Sequence, residues 1–217
     1  WFKNGKIHRD GDEPAVIEYY ENGEIRLKEW YKNGELHRDG DEPAVIQYYN
    51  KGEKIKFKKW FKNGECHRDG DKPALISYYE NKEIEIESEE WFLNGERHRD
   101  GDEPARIWYF KNKLFFKEWF KNGELHRDGD KPAIIKYHSN GKISSETWRK
   151  NGILLEGYNP AVITYDKKGG IKCKTWYKNE EKSIEIYYKD DQIHGEEDEP
   201  AIIRYKNNEI KSEEWFK

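Results

Sequence analysis

The chain has 217 residues, of which 34% are hydrophobic and 39% charged, and its 40 Lys and Arg against 44 Asp and Glu leave a net charge of −4. That balance gives no overall positive field for nucleic acid or an anionic membrane, so no nucleic acid and no membrane-surface contact are expected. A composition this charged would mean disorder in an aperiodic chain, but nine Trp, nine Phe and fifteen Tyr offer large buried areas and favour strands.

In chain order the dominant signal is a repeat. Trp1, Trp30, Trp60, Trp91, Trp119, Trp148, Trp176 and Trp215 recur every 28 to 31 residues until the last interval, which is 39. A period of this size predicts units that bury their apolar sides only against their neighbours. The expected fold is therefore all-β, an elongated array of antiparallel hairpins and meanders forming one body over residues 1–217. Its copies span about 1–29, 30–59, 60–90, 91–118, 119–147, 148–186 and 187–214, with another beginning at 215–217.

The first five copies open on an aromatic pair and Asn-Gly, and the sixth keeps Asn151-Gly152, the pair that supplies the positive φ angles of a two-residue hairpin. A short strand such as Glu35-Leu36-His37 then leads into His-Arg-Asp-Gly-Asp, seen at His8, His37, His67, His98 and His126. After Pro-Ala comes alternation. Ile17, Ile46 and Ile76 are followed two residues on by Tyr19, Tyr48 and Tyr78, so Ala, Ile and Tyr share one strand face, expected to be the core together with Trp30, Trp60, Trp91, Trp119 and Trp148. The intervening column varies freely and is expected to meet solvent or a partner. Turns are expected at Asn22-Gly23, Lys51-Gly52, Asn81-Lys82, Asn112-Lys113, Asn140-Gly141, Gly169-Gly170 and Asn207-Asn208. A second strand runs from about Ile25 to Tyr31. Ile25 and Leu27 would lie on the face opposite Trp30 in a regular strand, so either a bulge re-aims the Trp or the Trp covers the second face of the sheet, and the bulge is expected.

Two copies depart from the pattern. The sixth follows Asn151-Gly152 with Ile153, Leu154 and Leu155 and lacks His-Arg-Asp-Gly-Asp, although Pro160-Ala161 remains. After Trp176 an insertion over 178–186 precedes Tyr187, which takes the place of Trp. The insertion could be an extra hairpin or a looped-out excursion; an odd number of added strands would reverse the chain direction, so the excursion is expected. The two cysteines, Cys66 and Cys173, occupy different columns and predict no disulfide framework, which suggests a reduced, intracellular setting. No apolar run approaches the roughly 18 residues of a membrane span and no signal-like segment opens the chain, so no transmembrane segment or signal peptide is expected. The absence of Met and the start and stop inside a repeat suggest a piece of a longer array.

The order aromatic, Asn-Gly, two residues, His and a Gly-containing loop resembles the MORN repeat. The longer form with His-Arg-Asp and Pro-Ala is similar to repeats found in proteins of amoeba-infecting giant DNA viruses. The resemblance covers the whole chain; Arg after His replaces the MORN Gly in five copies, and only His194-Gly195 keeps the MORN form. It implies a β-hairpin fold; such arrays are known as scaffolds, lipid-proximal modules and appendages to enzymes, and of these the scaffolding role is expected here, in a cytoplasmic or virion-associated location.

The His-Arg-Asp-Gly-Asp string is the one cluster that suggests catalysis or metal. A kinase loop would also need a downstream Asn and a Gly-rich nucleotide loop with its Lys, all missing. Asp10, Asp12, Asp39, Asp41, Asp69, Asp71, Asp100, Asp102, Asp128 and Asp130 are Ca²⁺ candidates by chemistry, yet the string lacks the acidic spacing of an EF-hand. The expectation is a structural loop with no metal and no cofactor, in which Arg and His of one copy bond the Asp carboxylates of the next. No nucleophile sits beside a base at a recognisable spacing, so no enzyme activity is expected. Partner contact is assigned to rings and cations in the variable columns: Arg106, Trp108, Phe110, Tyr20, Tyr49 and Tyr79. The expected function is a non-enzymatic scaffold for a protein partner. The alternatives are a structural component that self-associates through its sheet ends, and a glycan- or Ca²⁺-binding module.

Overall fold

The computed structural model describes residues 1–50, 54–80, 85–195 and 199–216, so the turns expected at Lys51-Gly52 and Asn81-Lys82 lie outside the described residues. The chain is all-β, with no helix among the described residues, and no helix is long and apolar enough to cross a membrane. Its contacts group into two compact units, Trp1–Asn112 and Lys113–Lys217.

In the first unit an antiparallel sheet takes its strands in chain order: Val16–Tyr19, Ile25–Glu29, Val45–Tyr48, Ile55–Lys59, Leu75–Tyr78, Ile86–Glu90 and Arg106–Phe110. The expected third strand of each meander does not join this sheet. Instead it forms a separate hairpin of two residues per strand, as where Tyr31–Lys32 pairs with Glu35–Leu36 and Phe61–Lys62 with Glu65–Cys66. The cause is the Trp between them: Trp30 N–H bonds the Ala44 carbonyl at 2.9 Å, and the chain leaves the sheet there. The Asn-Gly tips are as expected, with φ of 55° and 91° at Asn33 and Gly34, a pairing of positive angles that suits a type I′ turn. At the fourth copy the positive-φ pair is Lys111-Asn112, one residue before the expected centre.

The expected bulge is present but displaced. Glu18 faces Leu27 and Tyr19 faces Ile25, so Arg26 is the extra residue, and the bulge separates Ile25 from Leu27 without re-aiming the Trp. It recurs at the same place opposite Gln47/Tyr48 and Ser77/Tyr78.

The core is narrower than the alternation implied. The buried positions of the first unit are led by Ala and Trp, with Ala44, Ala74 and Ala105 at 0% and Trp30, Trp60 and Trp91 at 6–7%, beside Val45, Cys66, Ser88 and Glu90. Trp60, Cys66 and Ala74 form one cluster with Phe61, Ile76 and Phe92 against it. Ile46, Ile76, Tyr48 and Tyr78 are only half-buried, because the same face carries charged cross-strand partners such as Lys28 opposite both Ile17 and Ile46. Ile17 and Tyr19, assigned to the core by sequence, are 37% and 59% exposed. Their strand has a paired neighbour on one side only among the described residues, so less packs over it.

The second unit has the strands Lys113–Glu118, Ile134–Tyr137, Ile143–Thr147, Val162–Tyr165, Ile171–Lys178, Glu181–Lys189, Ile202–Lys206 and Glu209–Glu214, again antiparallel in chain order. Trp119 is buried at 6%, whereas Trp148 is half-buried. The insertion overturns the looped-out expectation. Tyr177–Lys178 and Glu181–Lys182 make the usual small hairpin around Asn179-Glu180, but the chain then runs straight on as a sheet strand, with Lys174 facing Ile186 and Thr175 facing Glu185. Tyr187 does take the Trp role, since its N–H bonds the Ala201 carbonyl at 2.8 Å and its carbonyl accepts His194 N–H at 3.1 Å.

A single added strand reverses the chain. Glu185, Tyr187, Ile203 and Tyr205 therefore lie on the sheet face opposite Ile163 and Tyr165, and the seventh loop leaves from the edge that carries the earlier turns. Asp166 and Lys168 of the sixth turn accordingly wall one recess of about 580 Å³ with Asp190, Asp191 and Glu199 of the seventh loop.

Candidate functional site

Within the first unit the His-Arg-Asp-Gly-Asp loops stack copy on copy, and nearly every polar group in them has a defined partner. Arg38 lies with its guanidinium 4.0 Å over the Trp30 ring and donates Nε–H and Nη2–H to the Asp12 carboxylate of the preceding copy at 2.7 and 2.9 Å. Its Nη1 bonds the Pro43 carbonyl at 3.2 Å. Arg68 repeats this on Trp60, Asp41 and Pro73, and Arg99 repeats it on Trp91, Asp71 and Pro104. A bidentate guanidinium stacked on an indole combines two of the stronger polar contacts available to a side chain. Trp30 and Trp60 also donate Nε1–H to the Asp12 and Asp41 carbonyls at 3.4 and 3.3 Å.

Histidine takes a different part from the one expected. His8 Nε2 meets Asp10 of its own copy at 2.9 Å, while its Nδ1 accepts the Asn33 N–H of the next copy at 2.9 Å. Because the backbone amide can only donate, Nδ1 is the unprotonated nitrogen and Nε2–H donates to the carboxylate. His37 and His126 bridge in the same way to Asn63 and Asn151 at 3.1 Å. The junction of the third and fourth copies departs: His67 Nδ1 and Trp91 Nε1 are buried without a partner.

The ten aspartates do not converge on any point. Asp10, Asp39, Asp69 and Asp128 each bond a His two residues before and a Lys seven before, namely Lys3, Lys32, Lys62 and Lys121. Asp100 meets His98 at 3.3 Å. Asp12, Asp41 and Asp71 face the Arg of the following copy. Asp102 is also engaged, whereas Asp130 has no ion pair among the described residues. No group of three or more His, Cys, Asp or Glu is placed to hold a metal among the described residues.

These contacts set the carboxylate basicity. Lys3 and then His8 hold Asp10 below the ordinary 3.8, Arg38 does so for Asp12, and Arg68 with Lys72 pulls Asp41 further down. Carboxylates so depressed are poor general bases near neutral pH. The recesses between successive loops are small, about 260 Å³ between the first and second and about 380 Å³ between the second and third, with walls of these same paired side chains. Burial pushes the Cys66 thiol up to about 11 and raises that of Cys173; both are free thiols, removed from the reactive range.

The residues assigned to partner contact are placed unevenly. Tyr20, Tyr49 and Tyr79 are half-buried, and their hydroxyls donate to the carbonyls of Tyr48, Tyr78 and Tyr109 in the next copy at 2.6–2.8 Å. His138 serves the same position, meeting the Tyr165 carbonyl at 2.9 Å. They form a second ladder, along the turn edge, that strand alternation did not signal. Arg106 lies with its guanidinium 5.0 Å from the Trp108 ring centre and reaches the buried carboxylate of Glu90 at 3.4 Å. Glu90 also receives Arg97 at 2.6 Å. Phe110 is 55% exposed. Other exposed apolar side chains include Leu93 in the first unit, and Ile153 and Tyr158 in the sixth copy. No protein-family model matches this chain, and no curated protein matches it.

Proposed function

We propose that the chain is a non-enzymatic repeat scaffold that holds a protein partner on its variable positions. One observation carries this reading: the side chains of the recurrent motif are tied to one another from copy to copy, while the strand columns between them change freely. The Arg and Asp of the loops, the groups best suited to chemistry, already satisfy each other at 2.6–3.1 Å in the first unit. A framework of this kind fixes the backbone and leaves Trp108 and Phe110 to vary, residue types suited to interface anchors. The likeness of the motif to MORN repeats agrees with a scaffolding role.

The test is affinity for a protein co-purified from the native source. Phe110→Ala with Trp108→Ala weakens binding by more than about 2 kcal/mol, the hot-spot threshold, with an unchanged circular dichroism spectrum. Arg106 is better left intact, since removing it would leave the buried Glu90 with one cation fewer. Unaltered affinity in the double variant would remove these positions from the interface.

A further inference from the structure

The sixth copy keeps most of an arginine site and replaces the arginine. In the regular copies an Arg rests on the Trp of its own copy, grips the second Asp of the copy before, and bonds the carbonyl of the Pro that follows. Trp148 occupies the standard place, since its Nε1–H donates to the Asp130 carbonyl at 3.3 Å and its backbone N–H to the Ala161 carbonyl at 2.8 Å. Pro160 is in sequence position behind it. Leu155 stands where the other copies have His, because its N–H bonds the Trp148 carbonyl at 3.0 Å. The Arg position is thus Glu156.

Three consequences are visible. Trp148 is half-buried, where Trp30, Trp60, Trp91 and Trp119 are 6–7% exposed, and among the described residues no cation stacks on it. Asp130 is exposed and has no ion pair among them. Glu156 is turned to another purpose, its carboxylate accepting the Asn179 N–H as His Nδ1 does elsewhere. An indole face, a carboxylate and a carbonyl stand in the arrangement that holds Arg38, Arg68 and Arg99, with Glu156 adding negative charge.

The geometry points to Trp148 and Asp130 as a binding site for a guanidinium, supplied by an arginine side chain of the protein partner. The ligand class follows from the molecule itself, which builds the same cradle around its own arginines in the other copies. Lysine fits less well, since it has neither the planar fork for Asp130 nor the flat face for the indole. The partner's identity as a protein rests on the scaffold reading; the guanidinium chemistry does not.

The experiment is a titration of the full chain with N-acetyl-arginine amide, followed by the indole N–H resonances of ¹⁵N-labelled Trp. The Trp148 resonance shifts saturably at millimolar probe, the isosteric neutral N-acetyl-citrulline amide leaves it unmoved, and the lysine analogue binds at least about ten-fold more weakly. Asp130→Asn, a change at an exposed side chain, weakens the arginine probe by about ten-fold or more. Glu156→Arg supplies the guanidinium from within and abolishes binding. An unshifted Trp148, an equal response to citrulline, or undiminished binding in Asp130→Asn or Glu156→Arg would overturn the site. If the probe binds as described but no arginine-bearing protein co-purifies, the site stands and the scaffold reading falls.

Discussion

Trp60 is 6% exposed against Cys66 and Ala74, with the Arg68 guanidinium 3.9 Å above it, so removing its ring deletes buried apolar area and the platform for an ion pair together. Trp60→Ala is expected to cost about 3 to 5 kcal/mol, from lost transfer energy and the cavity left behind. Trp148→Ala should cost clearly less, because that ring is half-buried and carries no guanidinium; urea midpoints of the two variants make the comparison, and equal midpoints would contradict it. The Trp column was legible in the sequence because few other side chains could supply a core. Trp148 shows the limit, since its burial depends on an Arg that the sixth copy lacks. The His orientation was not legible either: which nitrogen accepts is decided by Asn33 N–H, which belongs to the next copy.

At the scale of elements, strands and tips followed from local chemistry, but the bonds between copies did not. The Asn-Gly tips could be read because few other pairs accept two positive φ values in succession. The bulge was expected because Ile25 and Leu27 would fall on the strand face opposite Trp30, yet its place at Arg26 depends on how Tyr19 pairs across the strands. Tyr20, Tyr49 and Tyr79 read as free surface rings because alternation says nothing about a hydroxyl reaching the neighbouring copy. Tyr49→Phe removes the donor to the Tyr78 carbonyl and is expected to destabilise by about 1 kcal/mol. Tyr19→Phe, at a 59% exposed ring, should leave the denaturation midpoint unchanged. Equal effects from the two changes would count against the hydroxyl ladder. The insertion was misread for a simple reason: reversal of the chain was weighed as a penalty, whereas an antiparallel sheet accepts one more strand in either direction.

Across the whole molecule the loop carboxylates respond to acid together. Asp10, Asp12, Asp39, Asp41, Asp69, Asp71 and Asp128 all ionise below the ordinary 3.8, through hydrogen bonds from Lys, His or Arg. A carboxylate whose folded-state value lies below its unfolded one contributes its full share above the unfolded value and loses it as pH falls through the folded one. The contribution of these carboxylates should therefore be complete above about pH 5 and be lost as pH falls below 3.8, with a shallower fall in high salt because they are solvent-exposed. Thermal melts between pH 2 and 7 at two salt concentrations check this, and a melting temperature independent of pH below 4 would refute it. The fold class could be read at this scale, from a period that many columns share. The arginine-shaped site of the sixth copy could not, because the missing loop registers in the sequence only as a loss, and its meaning comes from the geometry of the copies around it.

The reversal at Glu181–Lys189 also bears on how such a gene could change length. Junctions between regular copies use one matched pair, an Arg on one side and an Asp on the other, so a copy gained or lost by recombination presents its neighbours with the same chemistry. The sixth and seventh copies are not interchangeable in this way. One has Glu156 where the regular copies have Arg, and the other stands on the opposite face and edge, so a unit duplicated beyond it would inherit the inverted setting. The Arg-to-Asp junctions that join the first four copies are chemically alike, and the odd strand is the point beyond which a further copy would start from the opposite face and edge.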